Sequence, residues 1–247
     1  MALSGRIKKK NEVASPVEKP GLPLIGKIKV GQKTATGRPE SLDYFLCSGK
    51  YASYFEKAHQ QKPDVIQVVF ISDDINYSCK EEYECRDSAG KLTGKGDGET
   101  WLLYNADKDD YLAVDNGTDE GKAALKAAGK WKAALTLRFI IPKIRGLAGV
   151  FEFTTHGEKS SIEQIRETFD RVQEQAKTVI NIPFDLTVKK VKSQKPGQIR
   201  NFPVVQLVPN ISEDNIAIVR NYLDSGNPIS KTGLLNEERI LQLKEQN

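Results

Sequence analysis

Apolar and polar residues alternate along much of the first half of the chain, which is the pattern of strands with one buried face. The alternation begins at residues 24–30, and residues 65–71 form a nearly continuous apolar run that suits a buried strand. Between them, aromatic residues recur at helical spacing over residues 48–61, and Pro63 ends this predicted helix. Further strands are predicted over residues 42–47, 76–86, 91–95, 101–105, 111–114 and 132–141, and a surface helix over residues 119–129.

The C-terminal part of the chain combines one long amphipathic helix with strands on either side. The helix is predicted over about residues 160–177 because apolar residues recur along one face of it. Ser160-Ser161-Ile162-Glu163 has the spacing of a capping box, in which Ser and Glu side chains satisfy free backbone N–H groups at a helix start. Strands are predicted over residues 147–154, 184–191 and 202–208, and helices over residues 212–223 and 236–244. This order predicts an α+β fold with mixed, mostly antiparallel sheets and the long helix packed on a C-terminal sheet.

The chain divides by composition into three parts. Residues 1–22 are charged, contain prolines and lack an apolar period, so they predict a flexible basic arm. Residues 23–145 form a β-rich N-terminal part, and residues 146–247 form an α+β C-terminal part. The pattern leaves open whether these two parts are separate domains or one continuous domain.

Positive charge is concentrated at two places. Residues 1–38 contain nine Lys or Arg against two Glu, a net +7 that leaves −3 for the rest of a chain whose total is +4. Such an arm suits phosphate contact, although a solubilising tail has the same charge. A second basic segment, residues 189–200, contains no acidic residue and lies in the end of a predicted strand and the hairpin loop that follows it. Three roles are open for this segment: it contacts nucleic acid, it contacts an acidic protein, or it is a solvated loop.

These two segments supply the residues predicted to bind nucleic acid. They are Arg6, Lys8, Lys9, Lys10, Lys27, Lys29, Lys33, Arg38, Lys189, Lys190, Lys192, Lys195 and Arg200. Phe184 and Phe202 flank the second segment and could stack on bases, but the alternation around both predicts core positions.

Residues suited to catalysis are sparse. His59 lies at the end of a predicted helix, where a cation complements the helix dipole. His156 lies in a bend between a strand and a helix start, which is either an ordinary connector or an anion-holding turn. Cys79 and Cys85 share one predicted strand and are expected to be core thiols, because the spacing does not match a zinc module. With three cysteines, no apolar run of membrane length and no secretory signal, the sequence predicts a reduced, cytoplasmic location.

Acidic clusters occur at Asp73-Asp74, at residues 107–110 and at residues 115–120. Solvated turns explain them, and a metal-dependent hydrolase site is the alternative. Lys95-Gly96-Asp97-Gly98-Glu99 lacks the Gly-Lys-Ser/Thr ending of a phosphate-binding loop, and the chain has no nucleophile elbow or dinucleotide fingerprint. The sequence therefore predicts no catalytic residues, no cofactor and no metal site, and hence a protein that is not an enzyme.

Two blocks of sequence resemble a known family. The first contains GKIKVG at residues 26–31, GRP at 37–39 and LDYF at 42–45, and the second contains GVFEFTT at residues 149–155, then Ser160–Ile162 and IPF at 182–184. Their order is similar to that of the phage and mobile-element proteins grouped as recombination directionality factor-like. The motif at residues 95–98 resembles one that lies between those blocks in the family, so the resemblance covers roughly residues 24–208.

The resemblance implies a function without catalytic residues. Family members bind large serine integrases and switch them from integration to excision. Many relatives carry a metal-binding cysteine cluster between the Gly-Asp-Gly motif and the second block, whereas this chain has no cysteine after Cys85. The resemblance therefore implies that the metal site is absent from this chain.

Three hypotheses follow. The first is an accessory protein of a phage or mobile element that modulates a serine integrase on DNA. The second is a direct binder of single-stranded DNA or RNA, such as a subunit that coats a guide or a replication intermediate. The third is a metal-dependent hydrolase. The expected partners are nucleic acid, an integrase-type protein or both, with no membrane, and the sequence leaves the oligomeric state open.

Overall fold

Strands that are far apart in the sequence meet in two β-sheets. The protein was studied as a computed structural model, which describes residues 21–59, 62–192 and 201–245. The predicted arm therefore lies almost wholly outside the described residues.

In chain order the described elements are β1 (Leu24–Lys33), β2 (Pro39–Ser48), α1 (Ala52–His59), β3 (Val65–Val69), α2 (Ile75–Ser78), β4 (Cys79–Arg86), β5 (Leu92–Gly96), β6 (Trp101–Asn105), β7 (Asp110–Val114), α3 (Asp119–Ala128), β8 (Trp131–Phe139), β9 (Val150–Thr155), α4 (Glu163–Ala176), β10 (Pro183–Lys192), β11 (Asn201–Pro209), α5 (Glu213–Asp224) and α6 (Glu237–Glu245).

The larger sheet has eight strands in the order β2-β1-β9-β8-β4-β5-β6-β7, and the smaller has three in the order β11-β10-β3. All pairings are antiparallel except that of β1 with β9, where Lys27 lies opposite Glu152. Each sheet takes strands from both sides of residue 145. The predicted α+β class, with mixed and mostly antiparallel sheets, is confirmed.

Helix α4 links the two sheets. Its Arg166 donates to Glu81 on β4 at 3.2 Å, and its Gln164 bonds the backbone of Leu207 on β11. Its apolar face is buried, and Phe169 meets Phe70 edge to face at 5.0 Å between ring centres. The helix therefore anchors the smaller sheet against the inner face of the larger one.

The predicted capping box is wrong. Residues 158–162 form a π-helical turn, α4 begins at Glu163, and no side chain caps its start. The Oγ of Ser161, buried at 1% exposure, instead accepts from the Val205 N–H of β11 at 2.9 Å. The reason is that an edge strand carries outward N–H groups that need partners once they are buried.

The predicted strand over residues 76–86 is also partly wrong. Its first residues form the short helix α2, because the side chain of Asp74 accepts from the Asn76 N–H at 2.9 Å and caps a helical turn. Strand β4 then begins at Cys79. None of the helices in the described part of the chain is long and apolar enough to span a bilayer.

Candidate functional site

The basic segment after residue 188 lies at the free end of the smaller sheet. Strands β10 and β11 pair as far as Lys192 and Asn201, and residues 189–192 are exposed whichever way their side chains point. Within the described residues, Lys189, Lys190 and Lys192 form no ion pair. The structure thus presents three exposed lysines at the end of β10, with Lys189 on one side of the sheet and Lys190 and Lys192 on the other. Lys195 and Arg200 lie outside the described residues.

The other predicted basic residues do not join these three in one cluster. Lys27 and Lys29 lie on β1 of the larger sheet, and Lys33 and Arg38 lie at the turn between β1 and β2. Arg6, Lys8, Lys9 and Lys10 are outside the described residues. The described members of the predicted set are therefore divided between the two sheets.

A groove that the sequence analysis missed crosses the outer face of the larger sheet. It has a volume of about 340 Å³. Its lining comes from alternate residues of β1, β4, β8 and β9 and from neighbouring positions, and includes Lys27, Lys29, Tyr77, Lys80, Glu82, Glu84, Arg86, Thr136, Arg138, Glu152, Thr154 and His156. We call it the outer groove. Two of the strands that build it, β1 and β9, are about 125 residues apart in the chain at Lys27 and Glu152, so no local motif marks it.

Opposite charges pair across these strands. Glu152 lies between Lys27, at 3.3 Å, and Arg138, at 3.4 Å. Lys80 pairs with Glu82 at 2.8 Å on β4. The two ion pairs of Glu152 connect different strands, and cross-strand pairs stabilise a sheet and help to fix its register.

Glu84 is the most buried carboxylate of the outer groove, with 8% of its side chain exposed. It accepts from Arg86 at 2.9 Å and lies 3.3 Å from Nε2 of His156. The hydrogen bond from His156, and then those of Arg86, hold the pKa of Glu84 below its usual range, against the effect of burial. Glu84 is therefore held as a carboxylate, whereas a general acid needs a pKa near the working pH.

Cysteine chemistry is disfavoured as well. Burial raises the pKa of Cys47 to about 11 and also raises that of Cys79, so neither thiol is ionised near neutral pH. His59 lies at the end of α1 as predicted, with Nδ1 3.1 Å from the carbonyl oxygen of Phe55. Burial lowers the pKa of His59, and its ring centre lies 4.5 Å from that of Phe55.

The acidic clusters serve local structure. Asp73 accepts from the Val179 N–H at 2.7 Å and from the Thr178 hydroxyl, and Asp115 accepts from the Gly117 N–H at 2.8 Å. Within residues 21–59, 62–192 and 201–245, no three His, Cys, Asp or Glu side chains are placed to hold a metal ion.

The Gly-Asp-Gly motif also has a structural role. Asp97 accepts from the N–H groups of Glu99 and Thr100, and Gly98 has a φ of 100°, which side chains disfavour. A Cβ on Gly96 would lie 2.7 Å from the ring of Trp101. The motif therefore closes the β5–β6 turn and makes room for an aromatic ring.

Phe202 was predicted to be a core residue, and this prediction is wrong. Phe184 is buried as expected, but Phe202 is 39% exposed because it lies at the free end of the strand pair and points away from the core. It lies directly opposite Val191, which is 41% exposed.

Comparison with protein-family models identifies one family. The model described as Gp3-like, recombination directionality factor-like, matches residues 25–210. Neither the comparison with curated proteins nor that with solved structures gives a significant match. The family match includes both sheets, the outer groove and the exposed lysines of β10. Since it extends over well more than half of the sequence, the chain belongs to the recombination directionality factor-like family.

Proposed function

We propose that this chain is a non-enzymatic accessory factor of a phage or other mobile element that binds a serine integrase on DNA and favours excision over integration. The observation that carries the proposal is the family match over residues 25–210. A factor of this kind acts by binding one conformation of the integrase–DNA complex more tightly than the other. A tenfold preference corresponds to about 1.4 kcal/mol.

The geometry fits a binding role. The carboxylates of the outer groove are ion-paired, with Glu84 held in its charged form. Free charge is presented instead at Lys189, Lys190 and Lys192. Side chains that bind and orient a partner are therefore more evident than side chains that move a proton.

The test is a recombination assay with the integrase of the same element. Integration and excision substrates are incubated with the integrase, with and without this protein. Excision products should appear only when the protein is present, and integration should be suppressed. Unchanged yields in both directions, with a folded protein and an active integrase, contradict the proposal.

A second candidate, direct nucleic-acid binding, is favoured by one observation. The three exposed lysines of β10 have no acidic neighbour among residues 186–192. If they contact phosphates, affinity for a duplex oligonucleotide should fall steeply with salt, with a slope in log–log form of about 0.9 for each phosphate contacted.

A charge-reversal variant tests this candidate. K189E/K190E/K192E should lose oligonucleotide binding and its salt dependence. K122E/K126E/K130E changes the same number of exposed lysines on and after α3 and should bind as the native protein does. Equal affinity of the native protein and the β10 variant rules out these lysines as the contact.

A further inference from the structure

Exposed apolar residues lie on the outer face of the three-stranded sheet. Val65, Val191, Phe202 and Val208 are 44%, 41%, 39% and 42% exposed. All four point to the same side of the sheet, together with the half-buried Val204. We call these five residues the apolar face. Val191, Phe202 and Val204 are neighbours in it, whereas the polar residues Asp185, Thr187 and Gln206 separate them from Val65 and Val208. Contiguous exposed apolar surface, as at Val191, Phe202 and Val204, is typical of an interaction site.

The inner face of the same sheet is already filled. Leu186, Val188, Val205 and Leu207 are at most 2% exposed and belong to the core. Strand β11 therefore has apolar residues on both faces, whereas the outer positions of β10 before Val191 are Asp185, Thr187 and Lys189. Apolar residues on both faces are typical of a strand that is covered on both sides. The described residues bury β11 on its inner side and leave Phe202 and Val208 exposed on the other.

The free edge of the sheet does not admit another strand. The outward N–H groups of Val205 and Leu207 on β11 are bonded to Ser161 and Gln164 of the helical segment. Pro203 and Pro209 occupy the neighbouring outward positions and have no N–H to offer. A partner must therefore lie across the face instead of extending the sheet.

The charges around the face indicate the chemistry of the partner. Lys189 lies opposite Val204, in the row next to Val191 and Phe202, and points to the same side as these residues, whereas Lys190 and Lys192 point to the other side of β10. The carboxylate at the other end, Asp185, is hydrogen-bonded to Asn210. A phosphate backbone supplies no apolar surface for the valines. Residues 1–20 of the chain carry five basic and two acidic side chains, so their charge does not match either.

We propose that the apolar face docks a segment of a protein partner that has an apolar stripe and acidic residues at the end next to Lys189. The apolar stripe covers the exposed valines and Phe202, and an acidic residue pairs with Lys189. The proposal rests on the proposed function, because the integrase is the partner whose binding is measured.

The experiment measures binding of the full-length protein to the integrase of the same element by fluorescence anisotropy without DNA. V191S/F202S changes one end of the apolar face and V65S/V208S changes the other. The matched control is I75S/L241S, which alters two exposed apolar residues elsewhere, 49% and 62% exposed. Circular dichroism and thermal melting check that each variant is folded.

The expected result is that both face variants weaken binding about tenfold or more, as loss of a central anchor does, while the control stays within about twofold. Native-like binding by both face variants overturns the docking surface but leaves the proposed function standing. Binding of an oligonucleotide to the native protein that V191S/F202S abolishes overturns the protein assignment. Self-association of the native protein that V191S/F202S abolishes also overturns it, because the occupant is then a second copy. If the native protein neither binds the integrase nor alters recombination, the proposed function fails and the docking proposal fails with it.

Discussion

Replacement of Ser161 by Ala should destabilise the protein more than replacement of its neighbour Ser160. The Oγ of Ser161 accepts from the Val205 N–H at 2.9 Å, and both residues are 1% exposed. S161A removes the acceptor and leaves a buried N–H group without a partner. Ser160 has no side-chain hydrogen bond within the described part of the chain and is only half-buried.

The magnitude follows from the unsatisfied group. Leaving a buried donor without an acceptor costs about 1–3 kcal/mol. In a protein of this size, a loss of about 2 kcal/mol lowers the melting temperature by roughly 4–8 °C. A capping box at Ser160 predicts the reverse order, with S160A costing about 1 kcal/mol and S161A little.

Thermal melting and urea unfolding of S160A, S161A and the native protein distinguish the hydrogen bond of Ser161 from a capping box at Ser160. The structure requires a clear loss in S161A and a near-native S160A. The reasoning is refuted if S160A is the less stable variant or if both match the native protein. S161A also opens one position on the edge of β11, so its aggregation below the transition, where the sheet is still folded, should be faster than that of S160A.

Two further perturbations test the larger sheet. Because His156 and Arg86 lower the pKa of Glu84, its stabilising effect is complete above its unfolded pKa, about 4.3, and is lost as the pH falls through the lower folded value. The difference in unfolding free energy between the native protein and E84Q should therefore shrink from about pH 7 to about pH 3 in urea titrations, and a constant difference would contradict the assignment. A Cβ on Gly94 would lie 2.5 Å from the ring of Trp131, so G94A should lose about 1–3 kcal/mol and change the tryptophan emission, whereas unchanged emission would show that the ring does not lie there.

Much of the fold follows from periodicity. Residues 101–105 form the strand that the alternation predicts. The buried side of α4 is the side that the spacing of its apolar residues predicts. The helical turn at Ile75 was missed because one side-chain cap from Asp74 outweighs a β-like pattern over four residues. The parallel pairing of β1 with β9 joins segments more than a hundred residues apart, and periodicity contains no information on such pairing.

The outer groove could not be located from the sequence for the same reason. Its charged residues occupy the polar positions of alternating strands, which is also the pattern of an ordinary solvated face. The one signal available was the presence of opposite charges, Arg138 and Glu152, on two neighbouring predicted strands. That signal becomes specific only when the register is known.

The apolar face shows what alternation can and cannot decide. In β11, Val204 and Val208 alternate with the core residues Val205 and Leu207, so apolar residues point to both sides of the strand. Such a run predicts a strand buried on both faces. The structure supplies core on the inner side, whereas Val208 on the outer side stays 42% exposed. The run thus predicts that other residues pack on the outer side of β11, and residues 21–59, 62–192 and 201–245 do not bury it. A partner that packs on this side would account for both the sequence pattern and the exposed face.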